Sequence, residues 1–278
     1  MAPPYEFSLR AGYAKVGWNP QTIRLVQNEA SSLRKLKGVH FSTAKIPEVV
    51  HAGWWKGNYV LVQRNSGPGL QRAVRGNDHR HIDFLVELYR SANPCELSLR
   101  DVPWLTEADS AAIRNEGFHY YLHLLQQAAQ YCRDRAGDRP IPCGRAHGDF
   151  TPWNIRACGR DLLVIDWEYA VDVRPIGWDL FHFLIETAVE LQDETPGNIY
   201  RMLLQPGPKN RMIRCYFECL GVPGYWIRPA LVCYLAAALK ESLCLHGQNV
   251  SAKDETLRRT WGVLLNLLCY DQSTAEGI

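Results

Sequence analysis

The sequence has little that would mark a nucleic-acid-binding, zinc-binding or disulfide-stabilised protein. Its 31 basic and 29 acidic residues give a net charge of +2, and they form no concentrated Lys/Arg tract. Binding to a polyanion is therefore not expected. The nine cysteines are odd in number and dispersed, without the C-x-x-C spacing of zinc sites or redox pairs. The thiols are expected to be reduced.

Long apolar runs are also missing. The longest, around Ala230 to Leu239, is too short to span a bilayer, and the start MAPPYEFSLR has no apolar segment behind a basic end. We therefore expect a soluble cytoplasmic protein with neither a membrane nor a nucleic-acid partner. The 46% hydrophobic content over 278 residues is enough to build one large domain or two modest lobes.

The order of β-like and helical segments predicts an α+β fold. Short β-rich runs, YAKVG, VVHAG and NYVLVQ, precede a Gly/Pro stretch at 65–69 that has the composition of a hinge. Between the first two runs, Asn19 is suited to cap a helix and Pro20 to begin it. Beyond the hinge the apolar spacing is mostly helical. We predict a short β-containing lobe at 1–66 and a mainly helical lobe at 67–278.

The segment RAHGDFTPWNIRACGRDLLVIDWEYA carries the chemically informative residues, Asp149, Asn154 and Asp166. Two β-rich runs flank Gly159-Arg160, which predicts a two-residue hairpin turn with Gly at its first central position. Counting outward from this turn pairs Asn154 with Ile165, so Asn154 should lie beside Asp166.

An amide oxygen and a carboxylate held on neighbouring strands can share a hard divalent cation. Oxygen-only ligands favour Mg²⁺, which keeps open positions for phosphate oxygens. Asp149 precedes Asn154 by five residues and is placed to orient an acceptor hydroxyl and accept its proton. The neighbouring His147 is expected to be a structural hydrogen-bonding residue and not a second base.

The runs HGDFTPWN and IDWE resemble the catalytic loop and metal-binding segment of the aminoglycoside phosphotransferase and choline kinase-like family. The resemblance implies a two-lobed protein kinase-like fold and a magnesium-dependent transfer of phosphate from ATP to a hydroxyl of a small molecule. It assigns the catalytic base to Asp149 and the metal ligands to Asn154 and Asp166.

The same resemblance extends to other parts of the chain. It implies that Lys15 in YAKVG pairs with Glu29 on the following helix to position the nucleotide phosphates. It also implies that Asp179 in GWDL braces the catalytic loop. The adenine edge is expected to meet the backbone of four residues near the hinge, Val62, Gln63, Arg64 and Asn65.

The resemblance also implies two strands and a glycine-rich phosphate-covering loop before Lys15. Only fourteen residues precede this lysine, and Gly12 is their single glycine. We therefore expect a shortened amino-terminal β lobe without this loop. The alternative function is that of a pseudokinase, or of a truncated non-catalytic relative, that acts by binding.

The sequence does not identify the molecule that accepts the phosphate. An aminoglycoside or other polyamine would need acidic walls, for which the candidates are Glu186, Glu190, Asp193 and Glu194. Choline would need an aromatic cage, for which the candidates are Trp153, Trp167, Tyr169 and Trp178. A solvated helix face is the plainer explanation of the acidic group.

Overall fold

The computed structural model describes residues 12–64, 71–72, 79–99, 119–136, 139–246 and 251–270. The chain divides into two compact units. The first contains Met1–Arg75 and His147–Val171, and the second contains Gly76–Ala146 and Asp172–Ile278. The predicted catalytic segment thus groups with the amino-terminal residues. The predicted lobe boundary after residue 66 lies outside the described residues and stays a prediction.

The described residues form helices and three small sheets, with runs of successive strands and a run of successive helices, which confirms the predicted α+β class. The strands are β1 (Gly12–Gly17), β2 (Ala44–Lys45), β3 (Val49–Trp55), β4 (Asn58–Arg64), β5 (Gln71–Arg72), β6 (Cys95–Leu97), β7 (Ile141–Ala146), β8 (Ile155–Cys158), β9 (Asp161–Val164) and β10 (Val171–Pro175). The helices are α1 (Pro20–Lys35), α2 (His79–Arg90), α3 (His119–Ala136), α4 (Trp178–Gln192), α5 (Pro196–Leu204), α6 (Pro208–Cys219), α7 (Ile227–His246) and α8 (Ala252–Tyr270).

Helix α1 of the first unit begins where the sequence predicts. The Asn19 side chain accepts from the backbone amide of Thr22 at 2.9 Å, and the Thr22 hydroxyl accepts from the backbone amide of Asn19 at 3.2 Å. This reciprocal capping box satisfies amides that have no partner inside the helix. On the inner face of α1, Val26 and Ala30 pack in a core with Leu61 of β4. The helix is thereby held against its sheet.

The first unit contains two small sheets. Antiparallel strands in the order β1-β4-β3 form one, and a two-residue turn joins β3 to β4. Both turn residues, Lys56 and Gly57, have positive φ angles of 47° and 81°, as expected for a tight hairpin turn. The other sheet has the order β2-β9-β8-β5. It carries the predicted catalytic segment.

The predicted register of the β8–β9 hairpin is confirmed. Gly159 has a φ of 64° at the first position of the turn, and Cys158 lies opposite Asp161. One pair beyond the ladder, the amide of Ile165 donates to the carbonyl of Asn154 at 2.9 Å. Asn154 is therefore adjacent to the residue that precedes Asp166.

The second unit is mainly helical around α7. The residues from Ala230 to Leu239 are buried, which is the pattern of a helix surrounded by other elements. Its neighbours include α3, α4, α6 and α8. The sequence pattern did not predict the strands of the sheet β10-β7-β6. Among the described helices, none has both the length and the apolar character needed to cross a bilayer.

Candidate active site

An ion pair joins β1 to α1 in the first unit. Nζ of Lys15 lies 2.6 Å from Oε2 of Glu29, whose side chain has no exposed surface. The other carboxylate oxygen of Glu29 accepts from the Gln63 side chain at 2.8 Å and from the Trp167 amide at 3.3 Å. A buried carboxylate needs such partners because desolvation disfavours its charge. Glu29 therefore fixes Lys15 relative to both β4 and the IDWE segment.

Two further carboxylates face Lys15. Its ammonium forms an ion pair with Asp166, and its Nζ lies 3.5 Å from Oε2 of Glu168. Burial alone would lower the pKa of Lys15, but the adjacent Glu29 and Asp166 carboxylates outweigh burial and raise this pKa above its ordinary value. Lys15 is therefore a permanent cation at neutral pH.

The carboxylates around Lys15 lie close enough together that they could bind one cation. One ligand atom from each of Glu29, Asp166 and Glu168 lies within 4.8 Å of the others. With Lys15 the group carries a net charge of two negative when all four are ionised, which favours a divalent cation. Burial raises the pKa of Glu168, and the charge of Asp166 adds to the rise. The oxygen-only donors fit Mg²⁺.

Glu168 was not among the predicted site residues. The sequence signal was its position two residues after Asp166 in IDWE. That position alone did not reveal that the intervening backbone brings both carboxylates to the same lysine.

The predicted base and the predicted amide ligand are joined by hydrogen bonds. The side-chain amide of Asn154 donates to Oδ2 of Asp149 at 2.9 Å and to the Asp149 carbonyl at 3.0 Å. Asn154 is buried and lies at the end of a short 3-10 turn that begins at Pro152. With the amide hydrogens directed to Asp149, the amide oxygen is the atom able to bind a cation.

His147 is the buried support of this loop, as predicted. Its Nδ1 lies 3.3 Å from the Asp149 amide, which donates to it, and its Nε2 lies 3.0 Å from the Ile165 carbonyl. The ring packs edge-on against Trp167, with 4.6 Å between centroids. These contacts link the Asp149 loop to the strand that leads into Asp166.

The backbone at two positions of the site is unusual. Gly148 has a φ of 87°, and a β-carbon there would overlap the carbonyl oxygen of Tyr169. Asp166 has a φ of 71° although it has a side chain. Left-handed backbone costs about 1 to 2 kcal/mol for a residue with a β-carbon, and aspartate tolerates it better than most. The loop is thus closely packed where the predicted functional groups lie.

The structure brings most of the predicted site residues together in the first unit. Val62 and Gln63 lie in the central strand β4, where both neighbouring strands pair with their backbone. Arg64 ends β4, its amide donates to the Glu48 carbonyl at 2.9 Å, and Asn65 lies outside the described residues. Adenine contact by these four residues stays a prediction.

Several acceptor candidates are unsuited to a cage or an acidic wall. Trp167 and Trp178 are 0% and 5% exposed, so neither offers a ring face to a ligand; Tyr169 is 45% exposed. Among the acidic candidates, Glu186 is buried, and Oε2 of Glu190 lies 3.4 Å from Nζ of Lys253. The choice between the two acceptor classes therefore stays open.

Asp179, which the resemblance assigns to bracing the catalytic loop, lies in the first turn of α4 and is 5% exposed. An aspartate at a helix amino terminus is favoured by the helix dipole. Its bracing role stays a prediction.

The sequence matches no protein-family model and no curated protein. Solved structures, in contrast, share the fold over most of the chain. The choline kinase LicA from Streptococcus pneumoniae matches with a TM-score of 0.59 and 14% identity, over 91% of this chain and 85% of that chain. A choline/ethanolamine kinase family protein from Mesorhizobium loti matches with a TM-score of 0.53 and 16% identity, over 89% of this chain and 79% of that chain.

An aminoglycoside phosphotransferase has the same fold. A thermostable mutant of aminoglycoside phosphotransferase APH(4)-Ia, in a ternary complex with ADP and hygromycin B, matches with a TM-score of 0.57 and 10% identity. The match covers 95% of this chain and 87% of that chain. At these identities the likeness establishes the fold. The chain has the kinase-like fold of aminoglycoside phosphotransferases and choline kinases, in agreement with the resemblance of its motifs.

Proposed function

We propose that the protein is a small-molecule kinase that transfers the terminal phosphoryl group of ATP to a hydroxyl of its acceptor, with Mg²⁺ as the metal. The observation that carries the proposal is the arrangement around Lys15. A buried glutamate from a helix and the aspartate of IDWE both hold this lysine, and the Asp149–Asn154 pair is bonded to the same hairpin.

Lys15 is the residue proposed to contact the nucleotide phosphates. Its raised pKa keeps it charged, and Glu29 limits its movement from the protein side. Phosphoryl transfer depends mainly on positioning and on neutralising phosphate charge. The residues near the end of β4, Val62, Gln63, Arg64 and Asn65, are proposed to contact adenine.

The cation is proposed to be held by Asp166 and Asn154, and Glu168 is a further candidate ligand. A bound Mg²⁺ supplies charge neutralisation for the phosphate oxygens. The chain's own contribution is to hold two carboxylates beside Lys15. Preorganised charge of this kind lowers the cost of reorganisation during the reaction.

Asp149 is proposed to orient the acceptor hydroxyl and to accept its proton. The Asn154 amide donates to Oδ2 of Asp149 and so restricts the orientation of this carboxylate. The acceptor is proposed to be an alcohol-bearing metabolite or drug of modest size. The fold neighbours that are a choline kinase and an aminoglycoside phosphotransferase support this class, with choline and amino sugars as the first compounds to try.

The test is ADP release from ATP and Mg²⁺ over a panel of amino sugars, choline and simple sugars. Wild-type protein is compared with Asp149→Ala and with Asp161→Ala. Asp161 is a matched control because it lies on the same hairpin and pairs with Lys45, away from Asp149. Acceptor-dependent release that is lost only in Asp149→Ala supports the proposal.

The same assay separates the enzyme from the pseudokinase alternative. A pseudokinase would bind nucleotide in a thermal-shift titration with ATP and Mg²⁺ yet release no ADP with any acceptor. Release that is equal in wild-type protein and Asp149→Ala would contradict the assignment of the base.

A further inference from the structure

Asn28 is the residue before Glu29 on α1. Its side chain contacts the backbone at the end of the IDWE segment and just after it. Its side-chain amide donates to the carbonyl of Glu168 and to the carbonyl of Ala170, at 2.9 Å in each case. Asparagine has two amide hydrogens, so this geometry uses its whole donor capacity on one short segment. The contact joins residues about 140 positions apart in sequence.

Asn28 lies in the middle of α1, where asparagine is not a favoured residue type. Asn28 is the ninth of sixteen residues in the helix. Asparagine is among the weaker helix formers because its side chain competes for backbone hydrogen bonds. Here the side chain bonds to a different element, so its presence in the middle of the helix serves a tertiary contact.

Two adjacent residues of α1 thus bind the same backbone segment, one as a hydrogen-bond acceptor and the other as a donor. Glu29 accepts from the Trp167 amide, and Asn28 donates to the carbonyls on either side of Tyr169. The segment also closes on itself, since the Ala170 amide donates to the Trp167 carbonyl at 3.1 Å. Between these anchor points lies Glu168, and Asp166 precedes them with its left-handed backbone.

We infer that Asn28 is a positioning residue for the cation site. It holds the backbone of Glu168 and Ala170 so that the carboxylates of Asp166 and Glu168 stay beside Lys15. This inference rests on the proposed function. It adds a residue that makes no contact with the cation and acts through the ligands that it orients.

The experiment measures Mn²⁺ binding by the electron paramagnetic resonance of the free ion, in the presence of AMP-PNP. Asn28→Leu removes both donors without adding charge, and Asn28→Asp replaces them with a carboxylate facing two carbonyls. Partners that orient metal ligands typically contribute about 10- to 100-fold to metal affinity, so both variants should bind Mn²⁺ at least about 10-fold more weakly.

Asn28→Asp distinguishes positioning from simple electrostatics. An added negative charge near the site would strengthen cation binding if only charge mattered. Weaker binding by this variant supports positioning, and tighter binding overturns it.

The matched control is Arg34→Leu. Arg34 lies on the same helix and also donates to a backbone carbonyl, that of Ala52 at 3.0 Å, but this carbonyl belongs to β3. Its Mn²⁺ affinity should match wild type. If Asn28→Leu does not fold, Asn28→Ser replaces it, because serine has one donor and a shorter reach and should weaken binding in the same direction.

The outcomes separate the two proposals. Wild-type binding with an unchanged affinity in Asn28→Leu overturns the positioning role alone. A wild-type protein that binds no Mn²⁺ with AMP-PNP overturns the proposed function and this inference together.

Discussion

The carboxylate of Glu29, fully buried on α1, lies 2.6 Å from the ammonium of Lys15 on β1. This pair connects the helix, the sheet and the IDWE segment, because each partner also contacts at least one further element. It is therefore both a structural contact and the centre of the proposed nucleotide site.

Lys15→Met should lower the free energy of unfolding. The substitution leaves Glu29 buried without its cation. Breaking a fully buried pair costs roughly 3 to 5 kcal/mol, and we expect about 2 to 3 kcal/mol here because Lys15 is partly exposed. Urea unfolding followed by tryptophan fluorescence measures the change. Lys45→Met, which removes the exposed pair with Asp161, should have little effect.

The stabilisation by Lys15 should persist far into the alkaline range. Its pKa is higher in the folded protein than the ordinary value of about 10.4 in an unfolded chain. The contribution is therefore fully present below about pH 10 and is lost as the pH rises through the folded-state pKa. The difference in unfolding free energy between wild type and Lys15→Met should be constant from about pH 7 to pH 9. A difference that already falls in this interval would contradict the assignment.

Gly148→Ala should be far more damaging than Gly159→Ala. Both glycines have positive φ, so each substitution incurs about 1 to 2 kcal/mol of backbone strain. A β-carbon at Gly159 meets nothing within 4 Å, whereas one at Gly148 overlaps the Tyr169 carbonyl. Thermal unfolding and ADP release measure the effects. Equal losses in the two variants would show that the close packing of the loop does not matter.

Much of this site follows from the sequence because it is local. The Gly159-Arg160 turn sets the hairpin register by short-range geometry, and the register then places Asn154 beside Ile165. His147 was also predicted correctly as a structural residue. In these cases the residues involved are close in the chain, so turn chemistry and strand spacing are sufficient.

Other parts depend on tertiary packing that no local pattern encodes. Asn28 reaches residues about 140 positions away, and its sequence context is that of an ordinary helix. Glu168 joins the cluster around Lys15 because the backbone at Asp166 has a positive φ, which is unusual for a residue other than glycine. Strand β7 contains Pro142 and Gly144, which weaken the period-two pattern by which strands are predicted.

Asn154→Ala should have two kinetic effects where Asp149→Ala has one. Asn154 both holds Asp149 and offers its amide oxygen to the cation, so its loss should lower kcat and weaken the dependence on Mg²⁺. Asp149→Ala should lower kcat by about 10²- to 10⁴-fold with an unchanged Mg²⁺ requirement. Steady-state rates over a range of Mg²⁺ concentrations separate the two. Identical profiles for the two variants would contradict a ligand role for Asn154.

The most direct test of the central claim is calorimetric titration of AMP-PNP into wild-type protein and Asp166→Asn, each with and without Mg²⁺. Asparagine keeps the size of Asp166 and tolerates its left-handed backbone, so the variant should fold. The account predicts nucleotide binding that Mg²⁺ strengthens in the wild type and not in the variant. Binding that is equally strengthened by Mg²⁺ in both proteins, or no binding by the wild type, would contradict the account.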